Sequence, residues 1–484
     1  MMEKKSIKKN MLMSVILTSS NFIFPLITYS YVARILTPVG TGKVAFVSSI
    51  IGYFTYISTL GVPSYGLREC AKIRDNRNKL STLVQELLLI SLVATIVCYI
   101  ILFFSVITIP KLFEYKRLFL IMSCHIFLNS IGVEWFYQSI EEYSYITVRS
   151  IAFKIIAVVL TFVLIHQLED YIWYGFITIF TTSASYIFNF FHLRKFITLK
   201  KREKYNLRRH LLPILILFAS SIVLTVYNNF DVTMLGLISG EREVGLYNSA
   251  LKVKNIVLSL SSALTAVMIP RIAYFFEKND KENVYGLLRK SLNISLLVAI
   301  PVAIYILIYT KDVLLFVAGK EYIDAVGSLR VLIICIIPLV ITNLCGNQIL
   351  IPSGNEKRYT QSVTVGLVID IVLNILLIPT NGAVGAALGT LAAELWNVFW
   401  MGVGAANYLF EVLKKTNFIK YGICFLFAII ISYFSDIVTC FDNVVLRLIF
   451  SSVLYFGCYY FGLAALKEPM VIDVIDNLKR RIIG

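Results

Sequence analysis

About fourteen stretches of roughly twenty predominantly apolar residues, divided by short polar or basic segments, run the length of this 484-residue chain. At ~1.5 Å per residue, a helix of that length matches the ~30 Å hydrocarbon core of a bilayer. The pattern excludes a soluble enzyme, a fibre and a disordered tail. With 58% of residues in the AVILMFWYC set and 15% charged, the chain has too little polar surface to cover so large an apolar interior. It also excludes an outer-membrane barrel, whose strands would alternate apolar and polar residues. The expectation is therefore an all-α integral membrane protein. The first stretch has a basic head like a signal peptide's, but it is too long and has no small-residue exit, so it reads as a retained span.

Charge clusters place spans near 11–33, 44–66, 83–107, 117–138, 148–166, 171–191, 211–237, 247–270, 290–309, 326–350, 360–378, 383–407, 419–438 and 444–466. Of the 45 lysines and arginines, 33 then fall on one side of the membrane and 12 on the other. Orientation follows this excess in short cytoplasmic loops, so both termini are expected to be cytoplasmic. The net charge of +16 does not indicate nucleic acid, because a basic groove needs a water-exposed surface that is scarcely present. Cys98, Cys124, Cys335, Cys345, Cys424 and Cys458 lie in apolar runs without disulfide or zinc spacing, and read as packing residues.

The longest basic loop, residues 192–210, divides six spans from the next six. It reads first as a topology anchor touching anionic headgroups, and second as a docking site for an acidic partner. A shift of 203 residues brings Gly42 onto Gly245, Arg68 onto Arg271 and Asn76 onto Asn279, and a shift of 214 brings Gly132 onto Gly346 and Glu142 onto Glu356. An even number of spans between copies makes the repeats parallel, related by an axis along the membrane normal with a cleft between them.

Polar residues inside the spans mark candidate cleft walls. In the eighth span Asn248, Lys252, Asn255, Ser259 and Ser262 share an arc of about 80° at ~100° per residue. Ser221, Thr225, Asn228 and Asp231 lie within an arc of about 120° in the seventh, and Ser14, Thr18, Asn21 and Thr28 repeat the theme in the first. For a single hydroxyl, an interhelical hydrogen bond explains as much as a cleft does. Lys252 carries more weight, because an intramembrane cation is costly and faces cargo, snorkels to the interface or pairs with an acid, here Asp231. Arg68, Arg149, Lys154 and Arg271 form a second basic set near the cytoplasmic ends, where positive-inside anchoring explains Arg68 and Arg271 equally well. Cations at both mouths suit an anion handed across. Intramembrane acids are read as Glu134, Asp231, Asp370 and Glu394. Asp370 and Asn374, at i and i+4, either bind a coupling ion or pair with a neighbour. No catalytic or metal-binding motif is found, and the four histidines are scattered without ligand spacing.

The segments FPLITYSYVARILTPVGTGKVAF, GLRECAKIRDNRNKLS, EWFYQSIEEYSYITVRSI, DVTMLGLISGEREVGLYNSALKV and PRIAYF resemble those of the Wzx-type flippases of the multidrug/oligosaccharidyl-lipid/polysaccharide (MOP) exporter superfamily. The most specific pieces are Pro38, Gly40 and Gly42 after Arg34, the Arg68 and Glu69 pair, and Trp135, Gln138 and Glu141. Ser139 departs from the glycine common in that family. The likeness covers roughly residues 10 to 405, beyond which only hydrophobicity matches. It implies two six-helix lobes, 1–200 and 201–410, in a V that opens alternately, with two spans and a tail in 411–484 outside them.

The implied cargo is an undecaprenyl-diphosphate-linked oligosaccharide repeat unit for capsule, O-antigen or exopolysaccharide. It would be moved across a bacterial cell membrane, with cleft cations, Arg34 included, meeting the diphosphate. Coupling would be to a proton or sodium gradient or to the membrane potential, without a cofactor. Lipids, a polysaccharide polymerase and other assembly proteins are the expected partners. A multidrug antiporter of the same superfamily would want a carboxylate cluster in one lobe. A polymerase or glycosyltransferase would want a large external loop, and no external segment here exceeds about twenty residues.

Overall fold

The computed structural model describes residues 7–198, 205–438, 442–473 and 476, and every regular element among them is helical. Nine of these helices are long and apolar enough to cross a bilayer, or ten when the bent pair Ala406–Lys415 and Phe418–Phe434 is taken as one span. Two are too long for one crossing. Ile16–Ile73 has 58 residues and Glu356–Gly404 has 49, about 87 and 74 Å of helix at ~1.5 Å per residue. Each breaks inside, at Thr37 (φ 56°, ψ 178°) and at Gly382 (φ 50°, ψ −127°).

The break at Thr37 has a local cause. Pro38 disfavours helical geometry in the residue before it and is itself suited to the first turn of the next helix, where its missing N–H is not needed. The second span therefore starts at Pro38 and helix continues only to Thr59, which corrects the 44–66 expectation. The turn expected over residues 34–43 contracts to one residue. A separate helix, Val62–Ile73, follows and packs its buried Val62, Tyr65 and Cys70 in a core with Trp135, Phe136 and Tyr137.

Two other expected spans are irregular. The stretch 171–191 is interrupted by π-helix at Phe180–Ala184, between the helices Tyr171–Ile179 and Tyr186–Leu193. The stretch 247–270 becomes Glu241–Ala266, whose charged first turn and polar stripe leave it outside the nine.

The chain divides into two compact units, Met1–Ser249 with Leu367–Gly389, and Ala250–Gly366 with Thr390–Gly484. In the first of them the helix Arg208–Ile238 packs along Ile7–Thr59. There Ser49 Oγ and the Tyr53 hydroxyl meet Thr233 Oγ1 at 2.9 and 3.0 Å. Its start is held by Glu86, which is fully buried. One carboxylate oxygen accepts from the Asn206 N–H at 2.6 Å, and the other takes Arg209 Nη2 at 2.5 Å and His210 Nε2 at 2.9 Å. Within the same unit Gly42 and Gly245, the pair aligned by the 203-residue shift, touch. A Cβ on Gly42 would stand 1.8 Å from the Glu241 carbonyl oxygen, and one on Gly245 would stand 1.9 Å from that of Pro38.

In the second unit Phe418–Val438 and Val444–Ala465 form a hairpin. Tyr305 binds Ser451 at 2.8 Å, the Tyr459 hydroxyl donates to the Leu296 carbonyl at 2.7 Å, and Arg447 pairs with Asp312.

Candidate transport site

The helix Tyr143–Leu164 runs beside the first half of Ile7–Thr59 and points Lys154 into the protein, where only 4% of the residue is exposed. Its ammonium donates to Ser20 Oγ and to Asn21 Oδ1, both at 2.6 Å. Among the described residues no carboxylate lies within ion-pair distance. A cation buried among neutral oxygens keeps most of its charge unneutralised, and so attracts an anion strongly. Of the residues expected from the sequence, Asn21 and Lys154 are thus brought together. Arg149, five residues earlier, lies over the rings of Tyr145 and Tyr186, 5.5 and 5.9 Å from their centroids, and its Nε and Nη1 are buried without a hydrogen-bond partner among the described residues. Nearby, Glu134 and Gln138 line a cavity of about 250 Å³ with Ser91, Asn129 and Tyr186.

A second cluster forms where Arg208–Ile238 meets the helix Glu356–Gly404 within the first unit. Asn374 Nδ2 donates to Asp231 Oδ1 at 2.7 Å, and the Tyr247 hydroxyl takes Asp231 Oδ2. Asp231, Asp370 and Asn374 are 7%, 1% and 0% exposed. Gly389 leaves space beside two of these oxygens, since a Cβ there would stand 2.6 Å from Asn374 Oδ1 and 2.8 Å from Asp370 Oδ1. One carboxylate oxygen and one amide oxygen facing the same point in a buried site, with Asp231 bonded to that amide, suit a shared proton or a small cation.

The helix Glu241–Ala266 turns the anticipated stripe outward. Asn255 is exposed, Asn248, Lys252 and Ser259 are half-buried, and Ala250, Val253 and Val257 on the other side are buried. Within the second unit, Ser261, Ser262 and Thr265 join Ser291, Ser295, Asn343 and Gln348 around a cavity of about 130 Å³.

The remaining candidates stand apart. The exposed Arg34 donates to the Ser30 carbonyl of its own helix, and Asn228 to that of Leu224. Arg68 pairs with Glu69 at 3.3 Å on the surface, where Lys72 hydrogen-bonds that carboxyl and holds it below its ordinary value. Arg271 is exposed on Ile269–Glu277. The structure adds residues that the sequence reading passed over, namely Ser20, Tyr247 and Glu86. Glu86 belongs among the intramembrane acids, and its place within the 83–107 span was the available signal. His210, one of the scattered histidines, bonds Glu86 and the Tyr65 hydroxyl, the latter at 2.8 Å.

The sequence profile of the family described as polysaccharide biosynthesis protein matches residues 7–276, more than half of the chain. The chain belongs to that family. The MatE profile matches residues 213–376 of this family member. A provisionally named O-antigen transporter of Escherichia coli (strain K12) is 24% identical over 398 residues, 81% of this chain and 94% of the relative. A provisionally named low-salt glycan biosynthesis flippase, Agl15 of Haloferax volcanii, is 27% identical over 41% of each chain.

Among solved structures, the lipid II flippase MurJ in an inward closed conformation superposes with a TM-score of 0.70 at 17% identity, over 94% of this chain and all of that one. An outward-facing multidrug resistance MATE transporter of the MOP superfamily gives 0.58 at 13%, over 85% and 98%. At these identities the likeness is one of fold, and with the family match it puts this polysaccharide biosynthesis protein in the MOP superfamily.

Proposed function

We propose that this protein is a Wzx-type flippase that moves polyprenyl-diphosphate-linked oligosaccharide repeat units across a bacterial cell membrane for surface polysaccharide synthesis. The observation that carries the reading is Lys154, a buried intramembrane cation whose hydrogen bonds among the described residues go to Ser20 and Asn21. Such a residue is costly unless it serves an anion, and a diphosphate is the anion of a lipid-linked sugar. Asparagine and serine oxygens around it, and the outward stripe of Asn248, Lys252 and Asn255, suit sugar hydroxyls. We assign Arg34, Arg68, Arg149, Arg271 and Asn228 subsidiary contacts along the path.

We read fourteen spans, counting both long helices twice and adding 171–191 and Glu241–Ala266, with both termini cytoplasmic. Residues 1–200 and 201–410 are read as lobes working by alternating access. The Gly42–Gly245 contact supports this, because equivalent positions touch only beside a local two-fold axis. Asp231, Asp370 and Asn374 are assigned to a coupling ion, sodium or a proton, so Asn374→Ala should uncouple transport from the gradient. A polymerase or other assembly protein would take the cargo afterwards.

The deciding experiment is complementation of a flippase-deficient strain by Lys154→Gln. Glutamine can still donate to Ser20 and Asn21 but carries no charge, so transport should fall at normal membrane abundance while Lys154→Arg retains part of it. Wild-type transport by Lys154→Gln would refute the assignment.

A further inference from the structure

An apolar groove of about 520 Å³ lies where the last turns of Arg77–Thr108 meet the segment 113–123. Leu102, Val106, Ile107 and Leu120 line its length, and Lys116 and Arg117 stand at its rim. Its volume is within the range of ligand sites, yet its walls offer almost nothing polar besides Tyr99, Ser123 and the two cations. Tyr99 is already committed, donating to the Ser123 carbonyl at 2.8 Å. Both cations are exposed and have no carboxylate within ion-pair distance among the described residues. Lys116 rests over the Phe113 ring at 4.2 Å, and Glu114, the nearest acid in sequence, is bound to Lys111 at 3.3 Å.

The charge split puts these residues on the less basic side of the membrane, where positive-inside anchoring does not account for a Lys-Arg pair. A cationic rim above an apolar trough at the membrane boundary matches a phosphate head with its acyl chain below. We propose that this groove is a specific site for an anionic phospholipid of the bilayer, separate from the cargo path. A lipid-linked sugar is the poorer occupant, because the walls have no groups for its hydroxyls.

The test is a lipid titration of the detergent-purified full chain, followed by thermal unfolding, since a ligand that binds the folded state raises Tm with its concentration. Phosphatidylglycerol should stabilise the protein at concentrations at least tenfold below phosphatidylcholine of the same chains. Lys116→Gln with Arg117→Gln should abolish that preference, and Val106→Trp, which fills the trough, should weaken both lipids. Lys414→Gln with Lys415→Gln, a basic pair elsewhere, should leave the preference intact. Equal response to the two lipids in the wild type, or equal losses in both charge-removed pairs, would overturn the proposal. So would a change of oligomeric state on removing Lys116 and Arg117, which would give the groove to a second copy of the chain.

Discussion

Replacing Gly42 by alanine puts a methyl group where no atom fits. The added carbon would stand 1.8 Å from the Glu241 carbonyl oxygen and 2.9 Å from the Gly245 nitrogen, whereas ordinary contact begins near 3.4 Å. The two turns must therefore separate by more than an ångström, and both obstacles are backbone. Overpacking of this kind typically costs about 1–3 kcal/mol. If the contact exists in one transport conformation and opens in the other, the cost falls on one state only and shifts the equilibrium between them about 5- to 150-fold. Elsewhere in a helix the same change is favourable by up to about 1 kcal/mol, because alanine loses less entropy than glycine.

Gly286, with nothing within 4 Å of an added Cβ, is the internal control. Complementation of a flippase-deficient strain, with abundance read by immunoblot, should show Gly42→Ala and Gly245→Ala losing transport at near-normal abundance and Gly286→Ala retaining it. The double variant should lose little more than either single, since both changes open one contact. Indistinguishable behaviour of Gly42→Ala and Gly286→Ala would refute the reasoning.

A reporter fused after residue 484 should be active only in its cytoplasmic form, and activity only outside the cell would refute the charge-based topology. Glu86→Ala should lower the Tm of purified protein by an amount equivalent to about 1–3 kcal/mol, because it removes the buried carboxylate that holds the Asn206 N–H, Arg209 and His210. Asp170 accepts from the His166 and Gln167 N–H groups, which hold its carboxyl below the ordinary value. The stability it adds is therefore complete above pH 4 and disappears as pH falls through the lowered folded-state value. The stability deficit of Asp170→Ala, on the order of 0.5 kcal/mol per bond, should be constant from pH 8 to 5 and shrink as pH falls below 4.

Hydropathy and charge were enough to read the membrane class, the helical architecture and the positions of most spans, because a bilayer demands long apolar helices whatever packs beside them. Pro38 could have announced the break at Thr37 for the same reason: its effect on the preceding residue is local. The shared face of Asp370 and Asn374 also follows from helical spacing alone. What the helices bring to one another was decided only in three dimensions. Lys154 reaches Asn21 across 133 residues, Asn374 reaches Asp231 across 143, and His210 reaches Glu86 across 124. Lipid is as apolar as leucine, so no hydrophobic contrast along a span records which side faces protein. Rotation and register are set instead by small residues and interhelical hydrogen bonds, as where Gly42 meets Gly245. Such contacts need both partners in place before either can be recognised.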